Sequence, residues 1–192
     1  QDGKIYAKWG GFINDIDAFD ALFFKISPRE AELMDPQERL FLQTVWHTLE
    51  DAGYPASSLA KRKVGIFVGA MWNQYQLLGL NRTVGEAGYL APNSSVASIA
   101  NRVSYVFDFC GPSLSLDSMC SSSLSGLHLA CESIARGESE LAIAGGVNLN
   151  LHENKYFQLS QNRFLASDGR CRSFGAGGDG YVPGEGVGAV LL

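Results

Sequence analysis

Several signals that would place a chain outside the globular enzymes are missing here. The four cysteines, Cys110, Cys120, Cys131 and Cys171, form no Cys-x-x-Cys pair. They follow neither a disulfide framework nor a zinc-site spacing, so no metal is expected and reduced thiols fit best. Histidine is scarce, with only His47, His128 and His152. No secretory signal and no apolar run of membrane-spanning length occur, so the expected location is cytoplasmic and no membrane partner is implied. Positive charge is also short: 15 Lys and Arg against 20 Asp and Glu leave a net charge of −5. That balance argues against a nucleic-acid partner. Neither a Walker A motif nor a Gly-x-Ser-x-Gly elbow is found, and no solenoid repeat, low-complexity tract or dividing linker appears.

Glycine, by contrast, is plentiful at 22 residues, and it clusters toward the C-terminal end. Gly175-Ala-Gly-Gly-Asp-Gly180 matches the letters of a dinucleotide-binding loop. That pattern has its physical meaning only between a strand and a helix. Here Tyr181-Val-Pro-Gly-Glu-Gly186 follows and cannot open a helix, so tight turns at close backbone approaches are expected instead.

The remaining pattern reads as alternating helices and strands. Asp35-Pro36-Gln37-Glu38 is a helix start with a capping acid and proline in the first turn, and Gly53 and Pro55 end that helix. Val64–Gly69 and Glu140–Gly146, the latter extending toward Leu149, read as buried strands. Ser94–Phe107 and Ser121–Arg136 carry helical periodicity, and Tyr156–Phe164 suggests a short helix. Residues 71–92 read as a long loop with some helix. Gly186–Leu192 reads as a final strand. The alternation implies an α/β layered fold around a largely buried sheet. The chain starts at Gln1 rather than Met and ends in an apolar strand-like stretch, which suggests a piece of a longer domain.

Cys120 stands out by its position. It closes the apolar stretch Leu114–Met119 and is expected to be the first residue of the following helix. There the positive end of the helix dipole would favour the thiolate, the reactive form of the side chain. Most cysteines serve as small core residues, but this setting favours a nucleophile. The run Cys120-Ser121-Ser122-Ser123 leaves room beside the sulfur, and unsatisfied N–H groups at a helix start can hold an oxyanion on a thioester carbonyl. This combination suits acyl transfer.

A base for Cys120 is not evident. His128 lies eight residues along the same helix, about 12 Å of rise. His47 falls on the first long helix, and His152 sits at a strand end beside Glu153 and Asn154. The partner is therefore expected from afar or from outside this chain.

Leu116-Asp-Ser-Met-Cys-Ser-Ser-Ser-Leu124 resembles the active-site segment of β-ketoacyl synthases, the condensing enzymes of fatty-acid and polyketide assembly. Further segments resemble the N-terminal half of ketosynthase domains in modular type I polyketide synthases. They include Gly11-Phe12, Phe19-Asp20, Ile26-Ser-Pro-Arg-Glu30, Met34-Asp-Pro-Gln-Glu-Arg39 and Ala100-Asn-Arg-Val-Ser-Tyr105. Downstream, Gly111-Pro112, Ala144-Gly-Gly146, Ser167-Asp-Gly-Arg170 and Gly180-Tyr-Val-Pro-Gly-Glu-Gly186 continue the match across nearly the whole chain. Asp117-Ser-Met-Cys120, Asn154-Lys-Tyr156 and Leu159-Ser-Gln161 resemble the trans-acyltransferase subclass.

The resemblance implies a thiolase-like fold, with stacked helix, sheet, helix, sheet, helix layers and five-stranded sheets. This chain, residues 1–192, would supply most of the first half. It implies that Cys120 accepts an acyl chain from the phosphopantetheine arm of an acyl carrier protein, its own backbone N–H donating to the oxyanion. A decarboxylated malonyl unit on a second carrier would then attack. No cofactor would be bound by the chain itself. Other synthase domains would be partners, and a homodimer would form through the strand Ser113–Asp117. Met119 is a candidate wall of the acyl pocket, with plain core filling as the equal alternative, and Phe157 is a second candidate.

Ketosynthases use two histidines after the cysteine, one in a His-Gly-Thr-Gly-Thr motif, and a late Gly-rich loop as second oxyanion donor. None of these occurs here, and the family's first strand is missing before Gln1. The chain alone is therefore expected not to condense substrates. Two other readings keep Cys120 as nucleophile. One is a non-elongating ketosynthase that only transacylates; the other is a cysteine hydrolase, which requires a histidine within about 3 Å of the sulfur.

Overall fold

The computed structural model describes residues 4–79 and 92–192. These residues fall into two compact units, one holding 15–148 and 186–192, the other the N-terminal stretch to residue 14 and 149–185. The loop expected over 71–92 lies partly outside the described residues; within them, Tyr75–Gly79 forms a short 3-10 turn.

The larger unit is built on a four-stranded sheet. Its strands are β1 (Val64–Gly69), β2 (Ser113–Leu116), β3 (Leu141–Asn148) and β4 (Gly186–Leu191), in the order β2-β1-β3-β4. β1 runs parallel to β2 and β3, while β4 is antiparallel to β3. β1 is buried along its whole length, which is why it reads as a continuous apolar run. Period-two alternation divides its side chains between faces. Val64, Ile66 and Val68 join Phe41, Val45 and Leu49 of α2 (Pro36–Asp51) and Ile99 and Val103 of α3 (Val96–Phe107) in the main core.

The opposite face is carpeted with small residues. Phe67, Ala142 and Ala144 pack there with Ala130, Leu127 and Ile134 of α4 (Ser122–Ala135). Glycine and alanine on this face let the α4 axis lie close to the strands. The sheet is less buried than expected, because β2 and β4 are its edges. Every second residue of β4 is exposed, and Leu114 of β2 is exposed as well. The five strands implied by the resemblance are four among the described residues.

Helix starts follow the sequence signals. The Asp35 carboxylate caps α2 by accepting from the Gln37 N–H at 2.9 Å. A short α1 (Pro28–Leu33), not foreseen from periodicity, is capped by Ser27, whose hydroxyl accepts from the Glu30 N–H at 3.2 Å. Arg102 of α3 ties these helices together, with Nε 2.8 Å from Glu38 of α2 and a terminal nitrogen 2.7 Å from Glu30 of α1. Burial pushes the Glu38 carboxyl above its usual range, against the opposing pull of Arg102.

In the smaller unit, α5 (Asn154–Gln161) starts two residues before the expected helix and ends three before it. A small core of Ala7, Leu159 and Leu165 supports it, with Tyr156 packed alongside. Glu185 accepts from the Ile13 and Asn150 N–H groups at 2.9 and 2.8 Å. Lys155 is 3 % exposed and donates to the Leu149 carbonyl at 3.1 Å. Burial lowers its ammonium to a pKa of about 8, with Glu185 opposing the shift. The glycine run 175–180 lies between no strand and helix. A side chain at Gly180 would run into the Leu165 main chain, so close approach is its role, as expected.

Candidate active site

Three side chains within a few residues of Cys120 build the turn that carries it. β2 ends at Leu116, and the Asp117 carboxylate accepts from the Met119 N–H at 2.8 Å. Such aspartate turns allow the left-handed backbone that follows, and Met119 adopts φ 59°. Ser121 donates its hydroxyl hydrogen to the Ser118 carbonyl at 2.8 Å. The Ser122 hydroxyl donates to the Met119 carbonyl at 2.6 Å and accepts from the Ser118 N–H at 2.9 Å. The Ser122 N–H also reaches that Met119 carbonyl, at 3.1 Å.

This turn corrects one expectation. Cys120 is not the first residue of the helix: Ser121 is the N-cap, with φ −93° and ψ 3°, and α4 begins at Ser122. The left-handed Met119 reverses the chain early, so the cysteine is set on the tip of the turn, one residue before the cap. It is exposed there. Among the described residues, none of these hydrogen bonds of the turn uses the Cys120 N–H.

The turn sits at the carboxyl end of the parallel strands, the end where α/β sheets hold their ligands. Gly69 and Gly146 are register partners at that end of β1 and β3. A Cβ on Gly69 would lie 2.5 Å from the Ser123 nitrogen and 2.7 Å from the Ser122 carbonyl carbon. A Cβ on Gly146 would lie 3.1 Å from the Ser123 Cβ. The first turn of α4 therefore rests directly on two strand ends, with no room for a side chain at Gly69 and a tight fit at Gly146.

Cys120 opens onto a cavity of about 720 Å³ whose described lining comes from the sheet unit. Met119, Met71, Leu127 and the small residues of β3 and β4 form most of its wall. Met119 is 63 % exposed and lines the cavity beside the sulfur, so it is not core filling within this unit. Phe157 lies on α5 in the smaller unit and is 40 % exposed. Met71 and Asn148 belong to the lining without having been singled out by the sequence. Ser122 was read only as a small neighbour, whereas it is 6 % exposed and spends its hydroxyl on the main chain. A serine two residues after a candidate nucleophile, at the first position of the helix, is the signal that could have found it.

The histidines stand elsewhere. His47 on α2 is exposed, with Nδ1 3.1 Å from Glu50. His128 is exposed on α4, and the His152 Nδ1 accepts from the Asn154 N–H at 3.1 Å. Among the described residues, no histidine lines the Cys120 cavity. Nothing in this unit therefore offers the Cys–His pair that a cysteine hydrolase needs.

Comparison with known proteins agrees with this geometry. The family pattern described as "Beta-ketoacyl synthase, N-terminal domain" matches residues 1–192. Polyketide synthase PksL of Bacillus subtilis (strain 168) is 60 % identical over 199 residues, which cover 100 % of this chain and 4 % of PksL. Polyketide synthase ThaG of Burkholderia thailandensis is 61 % identical over 191 residues, covering 99 % of this chain and 3 % of ThaG. Among solved structures, the oxazolomycin ketosynthase domain OzmH KS7 of Streptomyces albus JA3453 aligns with a TM-score of 0.94 and 60 % identity. The alignment covers 98 % of this chain and 34 % of that one. The ketosynthase from module 6 of the bacillaene synthase of Bacillus subtilis 168 aligns with a TM-score of 0.85 and 40 % identity, over 94 % and 30 % of the two chains. The chain thus spans a few per cent of the synthases and about a third of the solved ketosynthases. A family pattern matched across residues 1–192, on an α/β sheet shared with a solved ketosynthase at 60 % identity, places this chain in the β-ketoacyl synthase family, whose N-terminal domain it carries.

Proposed function

We propose that this chain supplies the acyl-accepting part of a ketosynthase active site in a modular polyketide synthase, with Cys120 as the nucleophile. The observation that carries the reading is the exposed Cys120 sulfur, held on a strand-to-helix turn at the mouth of a largely apolar cavity. The thiolate adds to the carbonyl carbon of an acyl thioester on the phosphopantetheine arm of a carrier protein. The Cys120 N–H donates to the oxyanion. The bond from that carbon to the pantetheine sulfur then breaks, and the arm leaves as a thiol after gaining a proton. In the second half-reaction a carrier-bound malonyl unit loses carbon dioxide. The electron pair released forms a carbon–carbon bond to the acyl carbon, and Cys120 departs as a thiolate.

The groups that assist decarboxylation belong, in this reading, to the rest of the ketosynthase domain. Met119 forms part of the acyl wall and Phe157 is a second candidate. No cofactor is held by the chain; the phosphopantetheine arrives on the carrier. Similarity to PksL and ThaG supports the trans-acyltransferase subclass. The outer edge of β2, residues Ser113–Leu116, which has no strand partner among the described residues, supports a homodimer through that strand. Other synthase domains and the carrier are the remaining partners, in the cytoplasm. Among the described residues no helix is long and apolar enough to cross a membrane.

The test is mass spectrometry of the full ketosynthase domain after exposure to an acyl-loaded carrier, followed by malonyl-loaded carrier. An acyl adduct on Cys120 that converts to a β-ketoacyl product supports the reading. An adduct that persists and then passes to the second carrier unextended identifies a non-elongating enzyme. Absence of any adduct refutes both.

A further inference from the structure

We infer that Ser122 is a positioning residue for the oxyanion donor: its hydroxyl fixes the peptide plane that aims the Cys120 N–H. This rests on the acyl-transfer reading above and adds a role to a side chain that touches no substrate. The Cys120 N–H shares one peptide group with the Met119 carbonyl. Because that group is planar and trans, the N–H points opposite to the C=O. Aiming one aims the other. The Met119 carbonyl is gripped by two donors, the Ser122 hydroxyl at 2.6 Å and the Ser122 N–H at 3.1 Å. Both come from the same residue at the first position of α4, so the carbonyl is pulled toward the helix. The N–H is thereby turned away from it.

The same hydroxyl accepts from the Ser118 N–H at 2.9 Å, closing a loop around the left-handed Met119. On the N-terminal side the Asp117 carboxylate holds the Met119 N–H at 2.8 Å. The peptide group before Met119 is thus held by Asp117 at its N–H and by Ser121 at its carbonyl, and the one after it is held separately by Ser122. Ser122 itself has little freedom, since it is 6 % exposed and its main chain lies against Gly69. Donors are effective at an oxyanion when they are fixed beforehand and need not reorganise during reaction. An alanine at 122 keeps the N–H bond but loses the shorter hydroxyl bond and leaves the Ser118 N–H without its acceptor.

The experiment compares two reactions of Cys120 in the full ketosynthase domain carrying Ser122→Ala. Acylation by an acyl-pantetheine thioester builds an oxyanion; alkylation by iodoacetamide displaces iodide and builds none. Loss of one oxyanion donor costs about 100- to 1,000-fold, and mis-aiming one should cost about tenfold or more in acylation. Alkylation should change by less than about threefold, since the sulfur stays on the turn. Ser122→Cys puts a slightly larger, weakly hydrogen-bonding thiol in the same place, so with both reactions read on Cys120 itself it should show the same selective loss and carries the test if the alanine variant does not fold. An equal fall in both reactions would mean that Ser122 merely supports the turn. An unchanged acylation rate would equally overturn the assignment. If the unsubstituted domain alkylates at Cys120 but never acylates, the acyl-transfer reading itself fails, and this is told apart because no variant is needed to see it.

Discussion

Replacing Gly69 with alanine drives a methyl group into the main chain that positions Cys120. The new Cβ would lie 2.5 Å from the Ser123 nitrogen and 2.7 Å from the Ser122 carbonyl carbon, where 3.4 Å begins ordinary contact. Both neighbours are backbone, so no side chain can swing aside. The end of β1 and the start of α4 must part by most of an ångström. Overpacking of this kind costs about 1–3 kcal/mol of stability. The larger effect falls on chemistry, because the segment displaced carries Cys120 and its N–H. A misplacement near 1 Å costs about 100-fold in rate. Urea denaturation of the full ketosynthase domain reads the first quantity, and single-turnover acylation by an acyl-pantetheine thioester reads the second. A Gly69→Ala domain with unchanged stability and acylation within about twofold of the parent would show that α4 does not rest on β1 as described.

Three other outcomes are expected. Arg102→Ala leaves Glu38, whose side chain is 1 % exposed, without its partner, and should cost about 3–5 kcal/mol at neutral pH. The Glu38 carboxyl is already raised by burial and rises further without Arg102, so the folded state binds its proton more readily than the unfolded chain. Stability therefore falls as pH rises through that range, and the deficit of the variant should shrink on going from pH 7 to pH 5; a deficit independent of pH would refute the pairing. Lys155 behaves oppositely: with its pKa lowered to about 8, the unfolded chain holds the proton more tightly, so this group favours folding as pH rises from about 8 toward 10.5. Lys155→Met should remove that increment from the pH profile of unfolding, and an unaltered profile would show Lys155 to be solvated. Finally, all four cysteines are exposed, so exposure alone cannot make one of them react first. Iodoacetamide should label Cys120 ahead of Cys110, Cys131 and Cys171, and equal labelling would count against a nucleophile.

Much of the architecture was legible because it is written in short-range chemistry. Asp35-Pro36 announced α2, and Val64–Gly69 read as a buried strand, as β1 is along its whole length. The candidate nucleophile was legible from the strand-to-helix junction around Cys120. What remained hidden depends on geometry that residue types do not encode singly. Met119 has no glycine-like signature, yet it takes the left-handed conformation that moves the helix start from Cys120 to Ser122. Ser122 looked like spare room beside the sulfur, because a serine's partners are set by the turn and not by its neighbours in sequence. Gly69 and Gly146 are far apart in the chain and meet only through β1–β3 register. The antiparallel β4 carries the same apolar composition as a buried strand, but only Val187, Ala189 and Leu191 pack against the main core, and the alternate residues on its other face are exposed.

If Cys120 takes the acyl chain, that chain must be found on its sulfur. The most direct measurement is peptide-level mass spectrometry of the full ketosynthase domain after brief exposure to an acyl-loaded carrier protein, beside a Cys120→Ala control. One acyl group is expected on the peptide containing Cys120, lost on treatment with hydroxylamine and absent from the control. An acyl group on Cys110, Cys131 or Cys171, or an adduct that survives in the Cys120→Ala domain, would contradict it.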